Sequence, residues 1–329
     1  MPATAVTASR FRGLDGLRAL AALAIFLHHV GFWSGATFTG FWGNYLGRLD
    51  IGVPVFFSLS GFLLFRPIAV SVLSDGRPLR PAGEHLWRRA LRIYPAFWVA
   101  LTLIVAFTSE EFVDVTGAVV TYLLVHIHWP THTIGPMPQA WSLATEVSFY
   151  VALPVLARLA RPALVGRPHR TRVAGLFAVT AGCYLLSIAF RVFVFGLDNR
   201  WTASALLWLP STFDYFAIGM ALAVAHVGLR EGSGLRDRVE RLAAPAGLWW
   251  IAGFVAFTIV SQWMGLALGL ETASWPREMA RQFVYGVVGF TLLFPLVFGT
   301  TTRSSVRRFV GSGPAEWFGT ISYSIYLWH

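Results

Sequence analysis

Residues 13–32 read Gly-Leu-Asp-Gly-Leu-Arg-Ala-Leu-Ala-Ala-Leu-Ala-Ile-Phe-Leu-His-His-Val-Gly-Phe. The run is long and apolar enough to cross a bilayer as a helix, whose hydrocarbon core takes about 20 residues. It nevertheless keeps Arg18 near one end and His28–His29 near the other. Ionisable side chains at membrane depth are costly, so they face a partner or a wet cavity. At about 100° per residue, Arg18 and His29 fall within roughly 20° of one helix face and stand ~16 Å apart along the axis. A cation toward one membrane surface and an imidazole toward the other, sharing one groove, is the leading expectation.

The rest of the 329-residue chain supports a membrane reading. Hydrophobic residues make up 56% and charged residues 13%, with a mean hydropathy of +0.60. Soluble domains carry about 25% charged residues. The expected fold is all-α, a polytopic transmembrane bundle forming one domain over residues 1–329. A single cysteine, Cys183, excludes an intrachain disulfide and a multi-cysteine metal site, and no metal is expected. The net charge of +10 does not point to nucleic acid. Most arginines fall in alternating groups, including Arg10, Arg12 and Arg18, then Arg66 to Arg92, Arg158 to Arg172, Arg230 to Arg241, and Arg303 to Arg308. That is the positive-inside pattern, with a cytoplasmic N-terminus.

Spans are expected at 14–33, 51–70, 92–108, 140–158, 173–195, 203–227, 245–268 and 282–300. A ninth opens at Gly319 and stops at His329 after about two turns, so the chain reads as truncated. The apolar piece Val115–Ile127 would put the Arg-rich 158–172 connection outside if it crossed. It therefore reads as re-entrant or lying along the outer surface.

Several residues are candidates for chemistry. Arg88, Arg89 and Arg92 enter the third span together, either as lipid-facing charges or as a phosphate clamp. Glu146, two turns into the fourth span, is expected in the outer layer with His29, as a proton-handling pair or a structural contact. His126, His128 and His132 read as a wet loop without an acidic neighbour. Asp214 is expected to be buried, with Arg191 as a partner. Asp15 is expected to cap the first helix or pair with Arg18 at i,i+3. Ser58, Ser60 and Gly61 read as close-packing small residues.

Taken in order, Arg18 with His29, Phe-Phe-Ser-Leu-Ser-Gly-Phe-Leu, Arg-Arg-x-x-Arg-Ile-x-Pro-x-x-Trp, Trp-Ser-Leu-x-x-Glu and the closing Ile-Ser-Tyr-Ser-Ile-Tyr-Leu-Trp-His resemble the membrane-bound acyltransferase family 3. The resemblance runs from residue 12 to 329. It implies a bacterial plasma-membrane enzyme that moves an acyl group, commonly acetyl, from cytosolic acyl-CoA to a hydroxyl of a carbohydrate or glycosylated acceptor. Acyl-CoA would be a co-substrate, with no bound cofactor. It also implies that Arg18, His29, Arg89, Arg92 and Glu146 are functional. Arg18, Arg89 and Arg92 would hold the donor, His29 would act as base and Glu146 would assist it. Trp141 and Ser142 would meet the acceptor, with Trp33 and Trp42 as further stacking surfaces. Pro54 stands where many members carry an acid, so no acidic role is assigned there. A secondary transporter or proton-coupled channel would use the same buried groups and is the alternative.

Overall fold

The computed structural model describes residues 11–74, 77–197, 200–230, 232–268, 274–299 and 304–329. Arg10 and Arg303, two of the grouped arginines, lie outside them. In chain order the helices are α1 (Arg12–Trp33), α2 (Gly40–Arg48), α3 (Gly52–Leu73), α4 (Ala82–Phe107), α5 (Val115–Tyr122), α6 (Ala140–Leu164), α7 (His169–Leu197), α8 (Thr202–Ala205), α9 (Leu209–Gly228), α10 (Gly234–Ala243), α11 (Ala246–Gln262), α12 (Trp275–Phe298), α13 (Ser305–Val310), α14 (Gly313–Thr320) and α15 (Ser322–Trp328). No strand occurs among the described residues. Seven helical stretches are long and apolar enough to cross a membrane, or eight if α10 and α11, bent by 60°, form one span. The chain is a multi-pass helical membrane protein.

The centre of the bundle is α3 against α9. Ser58 and Gly61 do there what small residues do between membrane helices. A Cβ added to Gly61 would run into the Phe216 backbone, and one on Gly219 into the Ser58 backbone. Ser58 Oγ also donates to the Tyr215 carbonyl at 3.1 Å. α4 and α7 lie at the rim, presenting Val99, Phe107, Leu185 and Phe193 outward as a lipid-facing surface.

Two boundaries differ from expectation in ways that matter. α4 begins at Ala82, ten residues before the expected start, so Arg88, Arg89 and Arg92 ride on its first three turns. Hydropathy locates apolar segments and misses a helix that continues into a polar face. α5 has eight residues, about 12 Å of helix against a hydrocarbon core of about 30 Å. It does not cross. Tyr94 Oη and Trp98 Nε1 of α4 donate to the Leu123 and Tyr122 carbonyls and tie this piece to the bundle.

The closing segment is docked. A Cβ on Gly16 would meet the Val310 backbone, and one on Gly319 the Asp15 backbone, so α1 and α13–α14 touch at backbone distance. Tyr323 Oη donates to the Ile93 carbonyl of α4 at 2.8 Å, and Leu327 is fully buried. This brings the last residues beside α1, α4 and α6, where the candidate site lies.

Candidate active site

Three arginines and one carboxylate meet in a cavity of about 220 Å³ between α1, α3, α4, α6 and α15, lined by Arg18, Ser60, Arg89, Arg92, Ser142, Glu146, Tyr150, Tyr323 and Tyr326, among others. Arg18 comes from the first half of α1 and is held by Asp15 Oδ1 at 3.1 Å, the i,i+3 pair foreseen from spacing. Asp15 does not cap α1, whose N-cap is Phe11. Glu146 Oε1 accepts from Ser60 Oγ and from Tyr150 Oη, each at 2.7 Å. The Arg89 guanidinium sits 5.7 Å from the Tyr150 ring centroid, within cation–π range. With Arg18 paired to Asp15, Glu146 stands against both Arg89 and Arg92, so the cavity stays net positive and favours an anionic or strongly polarised guest.

Leu63, Leu64 and Arg89 also line a second, wider hollow of about 1020 Å³ at the Arg-rich end of the bundle. Arg66, Arg77, Arg80, Arg158 and Arg161 complete its charge, beside His85, and among the described residues no Asp or Glu lines it. The two spaces thus share a wall. A basic vestibule adjoins a narrow basic cavity.

His29 lies beyond the opposite end of that cavity and is not among its lining residues. Its Nδ1 is 2.5 Å from His329 Nε2. His329 in turn neighbours Tyr326, ring centroids 5.6 Å apart. Tyr326 Oη donates to the Gln139 carbonyl at 2.6 Å and accepts from Ser142 Oγ at 2.6 Å, because a carbonyl can only accept. Its ring stands 6.2 Å from Phe56. The groove expected to join Arg18 to His29 is therefore interrupted by Tyr326.

Among the expected residues, Arg18, Arg89, Arg92, Ser142 and Glu146 converge. Glu146 and His29 do not: the carboxylate's hydrogen-bond partners are Ser60 and Tyr150, and the imidazole's is His329. Glu146 lies instead beside Arg18, in the cavity that His29 does not line. Trp141 is half-buried and packs edge-on against Phe57, centroids 6.3 Å apart. Trp33 and Trp42 are exposed. His28 Nδ1 bonds the Leu46 carbonyl at 3.1 Å. Tyr150, Tyr323, Tyr326 and His329 had no role assigned from sequence, although the last three sit in the quoted closing motif.

The other buried polar groups resolve differently. Asp214 accepts from Ser187 Oγ at 2.9 Å and Gln282 Nε2 at 2.8 Å. The expected partner Arg191 is buried as well, 5.7 Å from the Phe195 ring centroid and close enough for its charge to act on Asp214, without a direct hydrogen bond among those described. His132 has an acidic neighbour after all, Asp114 Oδ1 at 3.7 Å. His126 is buried, and burial pushes its pKa down to about 4. His128, also lowered by burial, leans on Trp208. Among the described residues, no group of three or more His, Cys, Asp or Glu side chains is arranged to hold a metal ion.

Comparison with known proteins places this geometry. A family model described as "Acyltransferase domain" matches residues 11–329. The peptidoglycan O-acetyltransferase OatA of Listeria monocytogenes is 26% identical over 96% of this chain and 48% of its own length. The O-acetyltransferase OatA of Staphylococcus aureus is 23% identical over 96% of this chain and 49% of its own. YrhL of Bacillus subtilis is 25% identical with similar coverage. The chain spans about half the length of these curated relatives. No solved structure matches it.

Proposed function

The chain belongs to this acyltransferase family, and from that premise we propose that it transfers an acetyl group from acetyl-CoA, entering at the Arg-rich face, to a carbohydrate hydroxyl near His29. One observation carries the reading: a vestibule holding Arg66, Arg77, Arg80, Arg89, Arg158 and Arg161, with no acid among its described lining residues, opens beside a narrow cavity. Guanidinium groups match phosphate oxygens in pairs. The vestibule suits the phosphates of the carrier, and the cavity suits its thin pantetheine arm. The run of ~16 Å from Arg18 to His29 is comparable to that arm extended. The positive-inside pattern makes the Arg-rich face cytosolic in this reading.

The acceptor hydroxyl then meets the thioester beside His29. Nε2 of His29 takes the hydroxyl proton as the oxygen attacks the acyl carbon. The C–S bond breaks, and the departing thiolate collects the proton, leaving an ester and free thiol. Arg18, Arg89 and Arg92 hold the anionic carrier, and Tyr326 swings aside to let the arm pass. The relatives named as peptidoglycan O-acetyltransferases make a cell-wall glycan the first acceptor to try.

The test reconstitutes the full chain in vesicles with labelled acetyl-CoA and a soluble peptidoglycan fragment. Acceptor-dependent thiol release with ester formation is expected, and His29→Ala should abolish it. Thiol release without ester, or full transfer by His29→Ala, overturns the reading.

A further inference from the structure

His329 Nδ1 lies 3.2 Å from the Ile325 carbonyl oxygen. A carbonyl oxygen only accepts, so in this contact Nδ1 carries the proton, and the other nitrogen of a neutral imidazole is bare. That bare Nε2 is the atom 2.5 Å from His29 Nδ1. The two ring planes are within 11° of parallel and their centroids are 4.8 Å apart. Facing carbons in a stack stay about 3.5 Å apart, farther than these nitrogens, so the rings meet edge to edge through an N–H···N bond. His29 Nδ1 must be the donor.

We propose that His329 is a positioning residue for His29: it holds the Nδ1–H tautomer and turns the bare Nε2 outward to receive the acceptor hydroxyl's proton. The proposal rests on the reading of His29 as the base. A second ring partner that fixes tautomer and orientation is how imidazoles are held at metal and catalytic sites. The other titratable groups facing His29 are His28, centroids 5.2 Å away, and Asp50, whose charge reaches it and whose Oδ1 accepts from Tyr285 Oη at 2.5 Å. His28 Nδ1 is engaged by Leu46 and Asp50 by Tyr285. The side chain hydrogen-bonded to His29 Nδ1 is that of His329. During transfer His329 keeps its own proton. The transferred proton enters and leaves through His29 Nε2, and the imidazolium formed between is stabilised by the His329 lone pair.

The experiment uses the full chain with ¹⁵N-labelled histidine in lipid nanodiscs, His29 being assigned by its loss in His29→Asn. The wild type is expected to show His29 protonated at Nδ1 and bare at Nε2. His329→Phe should mix the tautomers and lower kcat at least about tenfold, with KM for acetyl-CoA unchanged. His329→Gln, whose amide can accept from His29 and donate to Ile325, should restore the tautomer and most of kcat. A wild-type tautomer and kcat in a folded His329→Phe, or a folded His329→Gln as defective as His329→Phe, overturns the proposal. Transfer surviving His29→Ala overturns the base assignment beneath it. A dead His29→Ala beside a fully active His329→Phe overturns the positioning role alone.

Discussion

Tyr150 and Glu146, one turn apart on α6, share a 2.7 Å hydrogen bond, and the accepting oxygen takes a second 2.7 Å bond from Ser60 on α3. The carboxylate thereby ties two helices together inside the basic cavity. Glu146→Gln keeps an oxygen to accept both bonds but removes the carboxylate charge that faces Arg89 and Arg92, Arg18 keeping its pair with Asp15. We expect its thermal midpoint to stay near wild type while transfer falls about tenfold or more. Tyr150→Phe and Ser60→Ala each remove one bond and should cost about 1 kcal/mol of stability. Thermal unfolding and initial rates on the same preparations separate the two effects. Unchanged rates in Glu146→Gln would remove the charge from the account.

The vestibule makes a different prediction. Arg77→Ala and Arg158→Ala should raise KM for acetyl-CoA with little change in kcat, by about tenfold for each guanidinium–phosphate pair removed. The effect should shrink as salt is added. A rise in KM for the glycan instead would place the donor elsewhere.

The α3–α9 crossing should be intolerant of one methyl group. Gly219→Ala would press its Cβ on the Ser58 backbone, which cannot move aside as a side chain can. We expect a loss of about 3 kcal/mol or more. Gly182→Ala on α7 meets nothing within 4 Å and should be neutral or stabilising by up to about 1 kcal/mol. Equal midpoints for the two variants would contradict so close a crossing.

Much of this fold was legible because membrane spans announce themselves by length and apolarity, and because i,i+3 geometry alone pairs Asp15 with Arg18. The small residues Ser58 and Gly61 also declare their packing role, whereas Ser60, read the same way, lines the cavity and donates to Glu146. Glu146 shows the limit. Counting residues puts it at the depth of His29, whereas it lines the cavity beside Arg18; how helices slide and turn against one another is set by tertiary packing, which no single helix encodes. Tyr326 shows another: a Tyr in an apolar motif reads as filler until Ser142 and Gln139, far away in sequence, are found on its hydroxyl.

His126 supplies a pH dependence. An unfolded histidine titrates near 6.5, whereas the buried one is held at about 4. Its Nδ1 is buried without a hydrogen-bond partner, so a proton added there is not accommodated. The folded-state pKa is the lower one. The stability attached to the neutral ring is therefore complete above about 6.5 and disappears as pH falls through about 4, a range of about 3 kcal/mol at most. Thermal unfolding of the detergent-solubilised chain against His126→Gln should show the wild type's advantage shrinking from pH 7.5 to 4.5. An advantage constant across that interval would contradict a neutral buried ring.

The interruption at Tyr326 is testable by access. Ser60 lines the cavity, and Cys183 is buried, so Ser60→Cys in a Cys183→Ala background offers one reactive thiol inside the cavity. A charged, membrane-impermeant thiol reagent reaching the Arg-rich face should label it through the vestibule, sharing the wall of Leu63, Leu64 and Arg89. The same reagent at the His29 face should not, because Tyr326 is pinned by the Gln139 carbonyl and the Ser142 hydroxyl, with Phe56 beside its ring. Tyr326→Ala removes the ring and both hydrogen bonds together. Labelling from the His29 face should then appear, and labelling from the Arg-rich face should persist. Two-sided labelling with Tyr326 intact would mean that the cavity is already open to His29.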